Sequence, residues 1–234
     1  MKIERLPKNV AIIPDGNRRW AKGHRLSFMT GYNLGVKKFI EFSEWCMSYG
    51  IHSITVWAFS TENMGRPVKE VEALLNIYRK AATDKSIIKR LHETKTRFVV
   101  IGEKKLLPSD LMKMLRKIES ATKNYSDRFI YMLLGYGGRE DMVHAANEIL
   151  KEAKEKKIDR VDDETFRKHM LSKSVPDLDF VIRTSGEERL SGFMPWQSGY
   201  SELYFCKKYW PDFNKKDLKK ALLEYSKRER RFGV

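Results

Sequence analysis

The sequence predicts a single α/β domain built on a mostly parallel, six-stranded sheet flanked by helices. Three observations point to it. Short apolar runs alternate with stretches of helical periodicity along the chain. No Gly/Ser/Pro-rich linker, internal repeat or low-complexity block divides the 234 residues, so residues 1–234 read as one domain. The polar clusters fall where strand gives way to helix, which is where open parallel sheets hold ligands.

The elements follow in order. Val10 to Ile13 is a short apolar run that ends in the turn residues Pro14-Asp15-Gly16-Asn17. From Leu34 to Tyr49, Val36, Phe39, Ile40, Phe42, Trp45 and Cys46 recur at helical spacing, and Gly50 is placed to end that helix. Ile54 to Phe59 reads as a buried strand. Val68 to Leu91 reads as one long amphipathic helix, with Val71, Leu74, Leu75, Ile77, Tyr78, Ala81 and Ala82 on a broad apolar face. Arg97 to Ile101 is a strand, and Pro108 to Thr122 a helix with Pro near its first turn. Phe129 to Leu134 is a strand, followed by a glycine turn at Gly135 to Gly138 and a helix from Asp141 to Glu155. Thr165 to Leu171 reads as a short helix. Strands at Leu178 to Ile182 and Leu203 to Cys206 and a helix from Asp217 to Arg230 complete the pattern.

Composition narrows the function. The chain is 41% hydrophobic, enough for a sizeable core. Its 46 Lys and Arg exceed 31 Asp and Glu, for a formal charge of +15. A field of that sign attracts nucleic acid, anionic lipid or phosphorylated substrates. No recognised nucleic-acid motif accompanies it, so nucleic acid is not an expected partner. Cys46 and Cys206 lie in apolar surroundings without metal-type spacing. The first residues lack the apolar core of a signal peptide, and no apolar run reaches the 18 residues of a membrane span. A cytoplasmic location is expected, with peripheral membrane contact left open by Lys215, Lys216, Lys219, Lys220, Lys227, Arg228, Arg230 and Arg231.

Four clusters could carry chemistry. Asp15-Gly16-Asn17-Arg18-Arg19-Trp20 combines a hard oxygen ligand suited to Mg2+ with donors for phosphate oxygens; an ordinary turn with solvated arginines is the alternative. Phe59-Ser60-Thr61-Glu62-Asn63, with Arg66, also follows a strand, and its polar residues suit a helix cap equally well. Gly135-Tyr136-Gly137-Gly138-Arg139 fits no nucleotide-binding signature and reads first as a tight turn. Arg183 through Ser191 places two arginines and two serines within nine residues after an apolar strand, a good cradle for a diphosphate. The five histidines are scattered, and the paired DDxxD motifs of all-helical trans-prenyltransferases are missing.

Taken in this order, the clusters resemble the cis-prenyltransferase family, which includes undecaprenyl and dehydrodolichyl diphosphate synthases. The matching segments run from Val10 to Gly233. The sharpest are Asp15-Gly16-Asn17 with Arg19-Trp20, Phe59 to Asn63 with Arg66, Tyr136-Gly137-Gly138-Arg139, and Arg183 to Ser191 with Trp196-Gln197-Ser198 and Glu202 to Phe205. The resemblance implies condensation of isopentenyl diphosphate with an allylic diphosphate and an apolar tunnel for the growing prenyl chain; the Val71 to Ala82 face opposite Phe129 to Leu134 is the candidate wall, with ordinary core as the alternative for those residues. The resemblance also implies that Asp15, Ser60 and Asn63 take part in catalysis, and that Asp15 and Glu202 hold Mg2+, Glu202 from the neighbouring subunit. Gly16, Asn17 and Arg19 would bind the allylic diphosphate, Arg18 and Arg66 would also bind substrate, and Trp20, Phe59 and Met64 would line the hydrocarbon side. Arg183, Arg189 and Ser191 would hold isopentenyl diphosphate, with Arg231 and Gly233 reaching across a homodimer or heterodimer interface.

The chain departs from the family pattern in places. Asn9, Pro14 and Gly135 stand where His, Met and Asn are usual. Where an Arg followed by Gly-His is common, this chain has Phe28 and then Gly31-Tyr32. The expected consequence is an altered allylic half of the site, with Arg18, His24 or Arg25 as compensating groups.

Overall fold

The computed structural model describes residues 3–155 and 158–228. Strand β1 (Asn9–Ile13) leads through helices α1 (Asn17–Gly23) and α2 (Phe28–Ser48) to β2 (Ser53–Ser60). After a 3-10 turn at Thr61–Gly65 come α3 (Val68–Thr83), α4 (Lys85–Glu93), β3 (Thr96–Ile101), α5 (Ser109–Thr122), β4 (Arg128–Tyr136), α6 (Gly138–Lys154) and α7 (Asp163–His169). Strands β5 (Phe180–Arg183) and β6 (Glu202–Phe205) and helix α8 (Lys215–Ser226) follow.

The six strands form one sheet in the order β3-β4-β2-β1-β5-β6, and every neighbouring pair is parallel. Period-two alternation divides its side chains between two covered faces, as a parallel sheet requires. Val10, Ile12, Ile54, Val56, Phe180 and Ile182 pack with Phe42 of α2 and Leu218 and Leu222 of α8. On the same face, farther along the sheet, Leu74 and Tyr78 of α3 and Leu111 and Leu115 of α5 meet Val100, Ile130 and Leu134. Ala11, Ile13, Tyr131, Leu133 and Val181 point the other way, against Val175, Phe193 and Met194.

Four elements differ from expectation. The single helix from Val68 to Leu91 is two helices. Asp84 leaves helical geometry at φ −72°, ψ 111° and its side chain accepts a hydrogen bond from the Ser86 amide, so it caps α4 and ends α3. Periodicity continues across the break because both helices turn apolar residues to one core. Asn17, the last of the expected turn residues Pro14 to Asn17, opens helix α1, which runs on to Gly23. Gly135 and Tyr136 extend β4, where strand pairing with Ser60 overrides the glycine signal. Helix α8 ends at Ser226, short of the expected Arg230, which lies outside the described residues. No helix among the described residues is long and apolar enough to cross a membrane.

The sheet order fixes where a site can form. Strand β1 lies between β2 and β5, so the chain leaves it in one direction and later returns on its other side. The carboxyl ends of β1 and β5 flank that switch point.

Candidate active site

Asp15 follows β1, and Arg183 is the last residue of β5; in the sheet register Ile13 lies beside Arg183. Arg183 Nη2 donates to Asp15 Oδ2 at 2.9 Å, and Arg19 Nη2 to Asp15 Oδ1 at 3.3 Å. Burial alone would raise the Asp15 pKa, but the hydrogen bond and charge of Arg183 and the charge of Arg19 outweigh it, and the carboxyl is held below its ordinary value. The Asp15 carbonyl is also fixed, accepting from Thr184 Oγ1 at 2.7 Å and from the Trp210 amide at 3.0 Å.

Arg183 is nearly buried. Its Nη1 donates to Ser191 Oγ at 2.9 Å and to the Arg189 carbonyl, which folds the loop back over the strand end. Its Nε has no hydrogen-bond partner among the described residues. Arg19 donates to Ser185 Oγ at 2.7 Å and to Glu187 Oε1 at 2.5 Å, and Arg189 donates to the other Glu187 oxygen. Hydrogen bonds from both arginines hold the Glu187 carboxyl below its usual value. Gly16 is required where it stands. Its φ is +101°, and a Cβ there would lie 2.5 Å from Tyr209 Cδ1 and 3.0 Å from Ser185 Cβ.

Asp15, Gly16, Arg19, Arg183 and Ser191 of this group stand at the polar end of a cavity of about 610 Å3, which Ser185, Glu187 and Arg189 do not line. Asp15, Gly16, Asn17, Arg18, Arg19, Ser60, Asn63, Arg66, Arg183 and Ser191 all border it. The rest of the wall is mainly apolar, with Val36, Phe39 and Ile40 from α2, Leu74 and Ala82 from α3, and Ile130 and Met132 from β4. From Tyr32 to Met47 the wall follows 16 residues of α2, about 22 Å from first to last.

A bulged register at Trp57, Phe59 and Ser60 turns the end of β2 toward this cavity. Ser60 and Asn63 form a reciprocal cap on the 3-10 turn: Ser60 Oγ accepts from the Asn63 amide and Asn63 Oδ1 from the Ser60 amide. The capping alternative is therefore realised. It uses both groups only as acceptors, and both still border the cavity. Arg66 Nη1 donates to Tyr32 Oη at 2.6 Å and to Glu70 Oε1 at 3.1 Å, while Arg18 Nη1 donates to Glu70 Oε2 at 3.3 Å.

Other expected residues stand elsewhere. Trp20 does not border the cavity; its Nε1 donates to Asp212 Oδ1 at 2.7 Å and its ring stacks on His24. Phe59 is a core residue packed edge-on to Tyr78, and Met64 packs beside the same core. His24 is occupied by Trp20, and neither it nor Arg25 borders the cavity. Glu202 pairs in register with Phe180, at the amino end of β5, so it lies at the opposite sheet edge from Asp15 of the same chain. There it accepts from Arg228 Nη1 at 2.9 Å, which also draws Arg228 inward from the basic surface of α8. Arg231 and Gly233 lie outside the described residues.

The sequence reading missed Glu70, Glu187 and the occupation of Tyr32. Glu70 had a signal, since it follows Arg66 by one helical turn.

Magnesium can be tested against this donor set. No cluster of three or more His, Cys, Asp or Glu able to cage a metal exists among the described residues. Magnesium rarely needs one, because it commonly takes one or two carboxylates and completes its shell with water and substrate phosphate. Asp15, an acid kept ionised at the arginine-lined end, fits that open kind of site.

A parallel α/β sheet with arginines and a carboxylate at its switch point, opening into an apolar cavity, defines a protein that handles diphosphates carrying hydrocarbon. Residues 13–233 match the family described as putative undecaprenyl diphosphate synthase, and the chain belongs to this prenyltransferase family. It is 42% identical over 235 residues to the tritrans,polycis-undecaprenyl-diphosphate synthase (geranylgeranyl-diphosphate specific) of Methanopyrus kandleri, covering 100% of this chain and 87% of that one. It is 41% identical over 237 residues to dehydrodolichyl diphosphate synthase 1 of Arabidopsis thaliana, covering 100% of this chain and 78% of the relative. Among solved structures it is similar to lavandulyl diphosphate synthase from Lavandula x intermedia in complex with dimethylallyl diphosphate, with a TM-score of 0.93, 34% identity, and 98% and 99% of the two chains covered.

Proposed function

We propose that the protein is a magnesium-dependent cis-prenyltransferase that condenses isopentenyl diphosphate with an allylic diphosphate to extend a Z-polyprenyl diphosphate. The observation that carries this reading is the single cavity with an arginine-lined end and a long apolar wall. The polar end suits two diphosphates and the apolar wall suits a hydrocarbon, which gains about 0.8 kcal/mol per buried CH2.

In the condensation, the allylic carbon–oxygen bond breaks, the isopentenyl double bond forms the new carbon–carbon bond, and a proton is lost. Arg183, already preorganised on Asp15 and Ser191, is suited to hold one diphosphate. Arg18, Arg19 and Arg66 border the rest of the polar end and suit the leaving diphosphate, whose negative charge grows in the transition state. Magnesium held by Asp15 would neutralise diphosphate charge when bound. Ser60 and Asn63 stand where the polar and apolar walls meet, which supports a role beside the reacting carbons. Fixing both substrates side by side removes up to about 7–11 kcal/mol of the barrier. Glu202 belongs to the magnesium site only if a second copy brings it there. The exposed side chains of Val143 and Leu150, one face of α6, support such a dimer.

The test is incorporation of labelled isopentenyl diphosphate with dimethylallyl, geranyl, farnesyl or geranylgeranyl diphosphate and magnesium, followed by sizing of the extracted lipids. A ladder of polyprenyl products is expected; no incorporation with any primer would contradict the reading.

A second reading, transfer from a short allylic diphosphate to another acceptor, is favoured by Phe28 and Tyr32. Their rings meet edge-on at 6.4 Å, and Tyr32 takes up an Arg66 donor at the cavity mouth. Under that reading Phe28→Arg with Tyr32→His lowers the Michaelis constant for farnesyl diphosphate, and an unchanged constant counts against it.

A further inference from the structure

At its far end the apolar wall of the cavity gives way to charge and hydroxyl groups. Helix α2 passes from the mouth, at Tyr32, to Met47, close to where β2 begins. Helix α3 descends beside it through Leu74, Tyr78 and Ala82. The break at Asp84 then starts α4 in a new direction, and Ile87, Arg90 and Leu91 of α4 line the cavity just before β3 begins at Thr96. They therefore lie at the amino edge of the sheet, the end remote from Asp15.

There, Arg90 Nη2 contacts Glu44 Oε1 of α2 at 2.8 Å, tying the two helices together across the far end. Glu93 lies 3.9 Å from the same guanidinium. Thr94 and Thr96 also line this end, with their hydroxyls hydrogen-bonded to each other at 2.8 Å. Above this plug the walls are Phe39, Ala81, Ile118 and Met132. A hydrocarbon tip gains by burial along those walls, then meets a hydrated ion pair and two hydroxyls. The pair is 49% and 40% exposed at its two side chains, so it can open, and it resists passage without sealing the channel.

We propose that the Glu44–Arg90 pair is an ionic end-stop that determines how long the product grows. The inference rests on the prenyl-chain reading of the cavity. Growth proceeds freely while the tip moves along apolar wall and slows when further units must displace Arg90 from Glu44. Arg90 is thus a specificity-determining residue at the remote end, and Glu44 is the residue that positions it. Neither is near the reacting carbons.

The test compares product length in the wild-type chain, Glu44→Ala, Arg90→Ala and the charge-exchanged pair Glu44→Arg with Arg90→Glu. Each is given labelled isopentenyl diphosphate, magnesium and the primer that the wild-type chain uses best, and the products are dephosphorylated and sized. Both single variants are expected to shift the most abundant product longer by at least one five-carbon unit, and the exchanged pair to return it toward the wild-type length. An ordinary ladder with an unchanged or shorter modal length in both single variants overturns the end-stop alone. If Arg90→Ala does not fold, Glu44→Ala, which keeps Arg90 in place but removes its tether, carries the same test. No ladder from the wild-type chain with any primer overturns the prenyl-chain reading itself, and the end-stop with it.

Discussion

Glu70 is the buried anion on which the arginines at the cavity mouth are organised, and replacing it with Gln should be costly in a measurable way. Its side chain is 7% exposed and accepts from Arg66 at 3.1 Å and Arg18 at 3.3 Å. Gln keeps the shape but removes the charge. The bond to the less exposed Arg66 falls in the range for charged partners, about 1.5–3 kcal/mol. The contact with Arg18, which is 65% exposed, is worth about 0–1 kcal/mol after solvent screening. A total near 2 kcal/mol follows, and at about 2–4 °C per kcal/mol for a domain of this size the midpoint should fall by roughly 4–8 °C. Thermal unfolding by circular dichroism at neutral pH measures it. Glu72→Gln is the control, since Glu72 is 55% exposed on the same helix and lies 3.5 Å from Arg79; its shift should stay under about 2 °C. Loosened arginines should also raise the Michaelis constant for the allylic substrate more than they lower kcat. Equal midpoints for the two variants would refute the assignment of Glu70 as the organising anion.

Two further outcomes follow from the same geometry. Gly16→Ala places a Cβ against Tyr209 at a φ of +101°, so unfolding free energy should drop by about 1–3 kcal/mol in urea titrations, and a neutral change would contradict the close approach. Asp15 titrates below its ordinary value of 3.8 because Arg183 and Arg19 hold it ionised, so its contribution to stability is complete above about pH 3.8 and is lost as pH falls through its lower native value. The stability gap between wild type and Asp15→Asn should therefore be constant from pH 5 to 7 and shrink below pH 3.8; a gap that widens with acid would reverse the sign of the argument.

Much of the fold was legible because a parallel sheet covered on both faces needs apolar strands, and those runs stand out at Val10, Ile54, Phe129 and Leu178. The break at Asp84 was hidden, since the apolar pattern of α3 and α4 serves one core and only a side-chain cap marks the boundary. The site was legible as clusters after strands. Asp15, Arg19, Arg183 and Ser191 gather at the switch point because β1 and β5 are neighbours, a pairing that residue spacing alone does not specify. Trp20 and Phe59, which the resemblance assigned to the hydrocarbon side, stand away from the cavity wall: one ring is tied to Asp212 and the other fills the core. Glu202 illustrates the remaining limit, because strand register decides which sheet edge a residue reaches and register is set by distant pairing.

The most direct measurement compares magnesium-dependent incorporation of labelled isopentenyl diphosphate by the wild-type chain and by Asp15→Ala, using whichever allylic primer the wild-type chain accepts. Groups that stabilise charge developing in a transition state are each worth roughly 10²–10³ in rate. The account predicts a polyprenyl ladder from the wild-type chain and a loss of at least about 100-fold in Asp15→Ala, with the variant still folded. A folded Asp15→Ala that makes the same ladder at a comparable rate would contradict the placement of the reaction at the β1–β5 switch point.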